Sequence, residues 1–87
     1  DIAAERVQTD FRQVTNQVVE SAYTITLRNH KEIDVVVDVV EPIPGDWTIL
    51  EESVAHVKKD AHTAVFSLPV VADGEATLTY RVRVENR

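Results

Sequence analysis

The chain has 87 residues, the length of a single domain, and its Val, Ile and Thr make a third of it β-branched, which favours strands over helices. It contains no Cys, which excludes disulfides, zinc–cysteinate sites and cysteine nucleophiles. A net charge of −6 argues against a nucleic-acid binder, because contacts to phosphates require clustered Lys and Arg.

Period-two alternation of apolar and polar residues predicts seven strands and no helix. The predicted strands span residues 5–14, 18–29, 33–41, 46–50, 53–57, 63–70 and 76–84. Strands at this regular spacing, separated by turn residues, are typical of a two-sheet sandwich or a barrel. We expect an all-β fold: a single antiparallel two-sheet sandwich of about seven strands, similar to immunoglobulin or fibronectin domains and occupying residues 1–87.

The first three predicted strands differ in the faces they present. Residues 5–14 carry a complete polar face, which predicts an edge strand. Residues 18–29 alternate cleanly and should turn one apolar face into the core. Residues 33–41 carry valines on both faces, which predicts a central strand whose Val36 and Val40 cover a second layer or a partner.

Turn residues interrupt the middle of the chain. The prolines on either side of Ile43 cannot donate to a ladder, so residues 42–46 predict a bend or a crossover between sheets. Residues 51–52 are predicted to form a charged turn and residues 58–61 a polar loop. We assign Trp47 to the core, because interior aromatic residues dominate small cores.

Four groups of residues carry a resemblance to a known family. They are Arg28-Asn29-His30-Lys31, Glu41-Pro42-Ile43-Pro44-Gly45-Asp46-Trp47, the run at 58–70 and the ending at 73–82. Together they resemble the C-terminal part of a bacterial family of domains of unknown function, numbered four-one-three-nine and similar to the mucoidy inhibitor A-like proteins. The resemblance covers roughly the whole chain.

The resemblance implies a β-rich, C-terminal module of a longer, exported bacterial protein, located in the periplasm or the cell envelope. It also implies other β domains and a coiled-coil segment ahead of this module. The family has no assigned activity, so no catalytic residue is carried over. Because the chain opens without Met or a signal-peptide pattern, we expect a piece of a longer protein. No run of 18 apolar residues occurs, which predicts no membrane insertion.

One group of residues has the chemistry of metal ligands. His56, Asp60 and His62 would converge if the loop at 58–61 folded back, and a catalytic zinc site requires three protein ligands. No ligand-dense motif accompanies them, so exposed loop histidines are the simpler interpretation. We therefore expect no metal and no cofactor.

Groups suited to catalysis are sparse. Asp34 and Asp38 share one face of a strand about 13 Å apart by strand rise, beyond the roughly 5–9.5 Å that paired glycosidase carboxylates require. Ser21, Ser53 and Ser67 have no Gly-x-Ser-x-Gly surroundings. The sequence therefore predicts a protein that is not an enzyme.

Two candidate interaction surfaces remain. The first is an aromatic platform for carbohydrate or another small ligand, which requires an exposed Trp47 beside Asp46 and His30. The second is a basic stripe on an outer sheet face, which acidic neighbours on adjacent strands would neutralise. The stripe would consist of Arg28, Arg81 and Arg83.

The sequence favours a non-catalytic structural or interaction module. It would pack on neighbouring domains of the parent protein or present an edge strand to a partner, with main-chain hydrogen bonds providing affinity. Residues 5–14 are the candidate edge, and pairing or exchange of this strand would give a homo-oligomer. Binding of carbohydrate or a small ligand through Trp47 is the alternative, and an enzyme ranks last.

Overall fold

The computed structural model describes residues 1–86, which form seven β-strands and no helix. The strands are β1 (Ile2–Gln13), β2 (Val18–Asn29), β3 (Val35–Pro42), β4 (Asp46–Glu52), β5 (His56–Asp60), β6 (Thr63–Val70) and β7 (Glu75–Glu85). β2 and β6 have the predicted bounds, because their alternation of apolar and polar residues is unbroken.

The strands form two antiparallel sheets that pack face to face. The larger sheet has the order β1-β2-β7-β4, and the smaller sheet has the order β3-β6-β5. The predicted two-sheet sandwich of seven strands is therefore confirmed. In a constant-type immunoglobulin domain the fifth strand belongs to the sheet of the first two and the seventh pairs with the sixth. Here the seventh strand belongs to the sheet of the first two, and the fifth strand pairs with the sixth.

The core lies between the sheets and is built from alternate residues of their central strands. Phe66 and Leu68 of β6 are almost fully buried in one cluster with Leu78 and Tyr80 of β7. The rings of Phe66 and Tyr80 have centroids 5.0 Å apart. Burying side chains of this kind contributes roughly 1.5–3 kcal/mol each, so the middle strands hold the sandwich together.

The chain passes from the smaller to the larger sheet directly after β3. Pro42 ends β3 opposite Thr63, and the chain enters β4 at Asp46. Gly45 has a φ of 81°, and a Cβ at this position would lie 2.9 Å from Cγ1 of Val84. The predicted crossover is confirmed, and its close approach to β7 requires glycine.

β1 is the predicted edge strand and lies at the border of the larger sheet. Every residue of β1 is exposed, and its register with β2 shifts between Gln8 and Asp10, which marks a β-bulge. Phe11 lies opposite the buried Ser21, on the core side of the sheet, yet it is 58% exposed. β1 therefore extends beyond the part of the larger sheet that the smaller sheet covers. Strand exchange through β1 stays a prediction.

The prediction of a central third strand is wrong. β3 lies at the border of the smaller sheet and pairs only with β6 within residues 1–86. Its outward-facing Val36 and Val40 remain exposed. Valines on both faces suggested burial on both sides, whereas only one face of β3 packs against the other sheet.

The bounds of the two shortest strands also differ from the prediction. Residues 51–52, predicted as a turn, extend β4 and pair with β7. Residues 58–60, predicted as part of a loop, belong to β5 and pair with β6. Of the predicted strand 53–57, only the last two residues lie in β5. Charged residues suggested loops, but the open side of a border strand accommodates charge as readily.

Candidate interaction surface

The two outer faces of the sandwich differ in chemistry. The outer face of the larger sheet is predominantly polar, with threonines paired across β2 and β7. The pairs are Thr24 with Thr79 and Thr26 with Thr77. An ion pair lies at the end of this row, where Nε of Arg28 is 2.8 Å from Oε2 of Glu75. This face is suited to contact with water.

Arg81 binds two carboxylates on the same face. Its Nη1 lies 2.9 Å from Oδ2 of Asp10, and its Nε lies 3.0 Å from Oε1 of Glu20. The hydrogen bond from Arg81 holds the pKa of the Asp10 carboxyl below its usual range. Because Arg28 and Arg81 are both paired with acids, and Arg83 lies opposite Glu20 in the ladder, the predicted stripe is not a continuous basic surface.

The outer face of the smaller sheet carries a cluster of exposed apolar side chains. Val40 pairs with Val65 of β6, which in turn pairs with Val57 of β5, so three valines form a row across the sheet. Val36 pairs with Pro69 further along β6. Val36, Val40 and Val57 are 67%, 52% and 67% exposed. We call these five residues the valine face.

A polar pair lies within the valine face. The hydroxyl of Ser67 donates to Oδ1 of Asp38 at 2.6 Å, between the two valine-containing pairs of β3 and β6. Clustered exposed apolar side chains with polar neighbours mark interaction sites in soluble proteins. The valine face is therefore the candidate functional site. The sequence pattern predicted that Val36 and Val40 cover a second layer or a partner, and the pairing of β3, β6 and β5 adds Val57 to them.

Trp47, the centre of the predicted ligand platform, lies in the core. It is 8% exposed, and its indole N–H donates to the carbonyl of Ala61 at 2.9 Å. Nζ of Lys58 lies 5.0 Å from the centroid of the ring. The assignment of Trp47 to the core is confirmed, and no open aromatic face is left at this position for a carbohydrate to stack on.

The polar residues predicted for the platform lie far apart. Asp46 adjoins Trp47, whereas His30 follows the last residue of β2. Trp47 pairs with Val84 of β7, which in turn pairs with Val19 near the start of β2. The ten steps of strand from Val19 to Asn29 span about 33 Å. The structure therefore does not bring His30 and Trp47 together.

The residues considered as metal ligands take part in separate contacts. Nδ1 of His56 lies 3.0 Å from Oε1 of Glu52, and the His56 ring packs edge-on against Trp47. The backbone N–H of His62 donates to Oδ1 of Asp60 and holds the pKa of that carboxyl below its usual range. Within residues 1–86, no three acidic or histidine side chains are placed to hold a metal ion.

A polar cluster around the buried Glu41 joins the two sheets, and no pattern in the sequence indicated it. Oε1 of Glu41 accepts a hydrogen bond from the Tyr80 hydroxyl at 2.5 Å and another from Nε of Arg6 at 3.0 Å. The Arg6 guanidinium lies 4.0 Å from the centroid of the Tyr23 ring. Burial, followed by the hydrogen bond to Glu41, raises the pKa of Tyr80 well above its usual value.

The described part of the chain contains no helix long and apolar enough to cross a membrane. Comparison of the chain with protein-family models, with curated proteins and with solved structures finds no match.

Proposed function

We propose that this chain is a non-catalytic interaction module of a longer bacterial protein and that its valine face packs against another domain of that protein. The observation that carries the proposal is the contrast between the two outer faces. The outer face of the larger sheet exposes mainly threonines and ion pairs, with Val7 beside Thr24. The outer face of the smaller sheet exposes the cluster of Val36, Val40 and Val57. A domain with water on both sides would gain nothing from such a contrast.

The size of the valine face supports a partner within the same polypeptide. Covering the exposed parts of three valines contributes about 1–2 kcal/mol each. Two free proteins must offset a much larger loss of translational and rotational freedom before such a surface holds them together. A tether between domains removes most of that cost, because docking becomes intramolecular.

The contacts of the acidic and histidine side chains that could act in catalysis support a structural role for these residues. Glu41 is engaged by Tyr80 and Arg6, and His56 is engaged by Glu52. These contacts link strands to one another, and they use the atoms that an acid–base pair would need for a substrate. We therefore propose that these residues maintain the fold.

We also propose that the chain belongs to the bacterial family numbered four-one-three-nine, on the strength of the motifs quoted above. The sequence of the parent polypeptide tests this. We expect an export signal, further β domains and a coiled-coil segment ahead of this module. A parent without any of these features would contradict the assignment.

Photo-crosslinking tests the proposed docking. A benzophenone amino acid is placed at Val57 in the parent polypeptide, and at Thr77 on the outer face of the larger sheet as a matched exposed control. Irradiation in bacterial cells, followed by peptide mass spectrometry, should map crosslinks from position 57 to another domain of the same protein. Equal and weak labelling at both positions would contradict the proposal.

A further inference from the structure

The four border strands of the two sheets are not alike. β1, β4 and β5 each contain a register shift with their neighbour. β3 pairs with β6 over eight residues without a break. Because bulges twist a sheet border away from an incoming strand, β3 is the one regular border among residues 1–86.

The backbone of β3 has its hydrogen-bonding groups available at this border. The N–H of Ile43 donates to the carbonyl of His62 at 2.8 Å, in the register of β3 and β6. Since bonding alternates along an antiparallel pair, the odd-numbered residues of β3 bond to β6 and the even-numbered residues point away. Val36, Asp38 and Val40 therefore direct their N–H and C=O groups outward.

The sandwich is incomplete beside the same border. The larger sheet has one strand more than the smaller sheet, and the ion pair of Arg6 with Glu41 places β1 next to β3 across the sheets. Ile2, on the core side of β1 and opposite Asn29, remains 38% exposed. Val37, on the core side of β3, is only half-buried. A further strand beside β3 would cover these side chains.

The charge at this border selects the kind of strand. Glu32, Asp34 and Asp38 are exposed along β3 or just before it, and the chain as a whole carries a net charge of −6. Like charge disfavours a second copy of this chain at the border. A strand that carries Lys or Arg opposite Asp38 gains an oppositely charged cross-strand pair.

We propose that the border of β3 binds an extended basic polypeptide segment, which becomes the fourth strand of the smaller sheet. Apolar side chains of the segment face β1, and its Lys or Arg side chains lie opposite Asp38. Main-chain hydrogen bonds to Val36, Asp38 and Val40 hold the segment in place. This inference deepens the proposed function and rests on it, because the added strand lies beside the valine face.

Nuclear magnetic resonance titration of the chain tests the inference. The probe is a synthetic peptide that alternates valine with lysine, and the matched probe replaces each lysine by glutamate. We expect the lysine peptide to shift the backbone amide signals of Val36, Asp38 and Val40 and to protect these amides from exchange. Cross-strand charge pairing predicts that it binds at least about fivefold more tightly than the glutamate peptide.

Three variants sharpen the test. Asp38→Lys should reverse the preference between the two peptides. Val40→Pro removes an outward N–H and should abolish binding of both. Gln13→Pro is the matched control at the far end of the β1 border, away from β3, where the hydrogen bond from Val14 N–H to the carbonyl of Val18 fixes the phase that points the Gln13 N–H outward. It should bind the peptides as the wild type does, and thermal unfolding verifies that each variant is folded.

Several results would overturn the inference. They are equal affinity for the two peptides, binding of neither, signal changes at β1, β4 or β5 in place of β3, and unchanged binding by Val40→Pro. None of them would affect the crosslinking result at Val57, because β5 lies at the opposite border of the smaller sheet. Failure of the inference and failure of the proposed function are therefore distinguishable.

Discussion

Tyr80 and Glu41 connect the two sheets through a buried hydrogen bond of 2.5 Å, in which the phenol on β7 donates to a carboxylate oxygen on β3. The same oxygen accepts the bond from Arg6 of β1. Burying a carboxylate costs stability unless charge-assisted hydrogen bonds compensate it. The carboxylate of Glu41 therefore links three strands, β1, β3 and β7.

Replacing Glu41 should destabilise the protein according to how many of these hydrogen bonds the new side chain can still form. Glu41→Ala should lower the free energy of unfolding by about 3 kcal/mol, because the Tyr80 hydroxyl loses its acceptor and Arg6 loses its partner. Glu41→Gln keeps an acceptor oxygen and should cost about half as much. Urea denaturation followed by circular dichroism measures both. An alanine variant as stable as the wild type would contradict this account.

Tyr80 should set an alkaline limit to stability. Its pKa is raised above the ordinary value of 10.0, first by burial and then by the hydrogen bond to Glu41. As pH rises above about 10, the unfolded chain releases the phenol proton and the folded chain retains it, so stability falls with pH. Tyr80→Phe should remove this part of the fall. Tyr23→Phe, which leaves Tyr80 intact, should retain it. Urea midpoints measured on either side of this pH decide between the outcomes.

The fluorescence of Trp47, the only tryptophan of the chain, reports on the core. Because the indole is 8% exposed, its emission should be blue-shifted, and iodide should quench it weakly. Unfolding in urea should shift the emission to the red and make it accessible to iodide, which provides the control. Emission from the folded protein at the position of the unfolded chain would show that the ring faces water.

Asn29 should be one of the most sensitive polar positions. Its Nδ2 lies 2.8 Å from the carbonyl oxygen of Ile33 and 3.2 Å from those of Val70 and Val71, and its Oδ1 accepts from the N–H of Lys31. Asn29→Ala should lower the free energy of unfolding by about 2–3 kcal/mol, because three carbonyl oxygens lose this donor and the bond to Val70 is buried.

Asn29→Asp keeps nearly the same side-chain shape but replaces the NH2 donor with an oxygen. It therefore distinguishes the loss of hydrogen bonds from the loss of packing. At neutral pH its carboxylate would face three carbonyl oxygens, so it should be less stable than Asn29→Ala. Acidification should recover part of the loss, because a protonated carboxyl can donate again. Thermal unfolding at neutral and acidic pH measures the difference. A pH-independent cost for the Asp variant would contradict the donor role.

Strands were predictable from the sequence where apolar residues alternate with polar ones so that only one face of the strand is apolar. Residues 18–29 and 63–70 have one apolar and one mixed face, and both strands were predicted with their observed bounds. β3 was predicted as a central strand because it carries valines on both of its faces, with Asp38 among those on one face. Sequence pattern does not distinguish a buried face from an exposed apolar face, because burial depends on which strands lie opposite.

The candidate site was predictable only in part. Val36 and Val40 were identified as an unexplained apolar surface, but their neighbour Val57 lies in a separate segment and joins them through β6. The cluster around Glu41 was not predictable, because Arg6 and Tyr80 lie 35 and 39 residues away in the chain. No local spacing rule covers contacts at that separation.

The register shifts in β1, β4 and β5 restrict how copies of this molecule can join. A filament that grows by strand addition needs two usable borders on each molecule, one to receive and one to extend. Among residues 1–86 only β3 is regular, so joining two molecules there would occupy the growth site of both. If two copies pair through β3 where salt screens their charge, the end point is a closed pair and elongation stops.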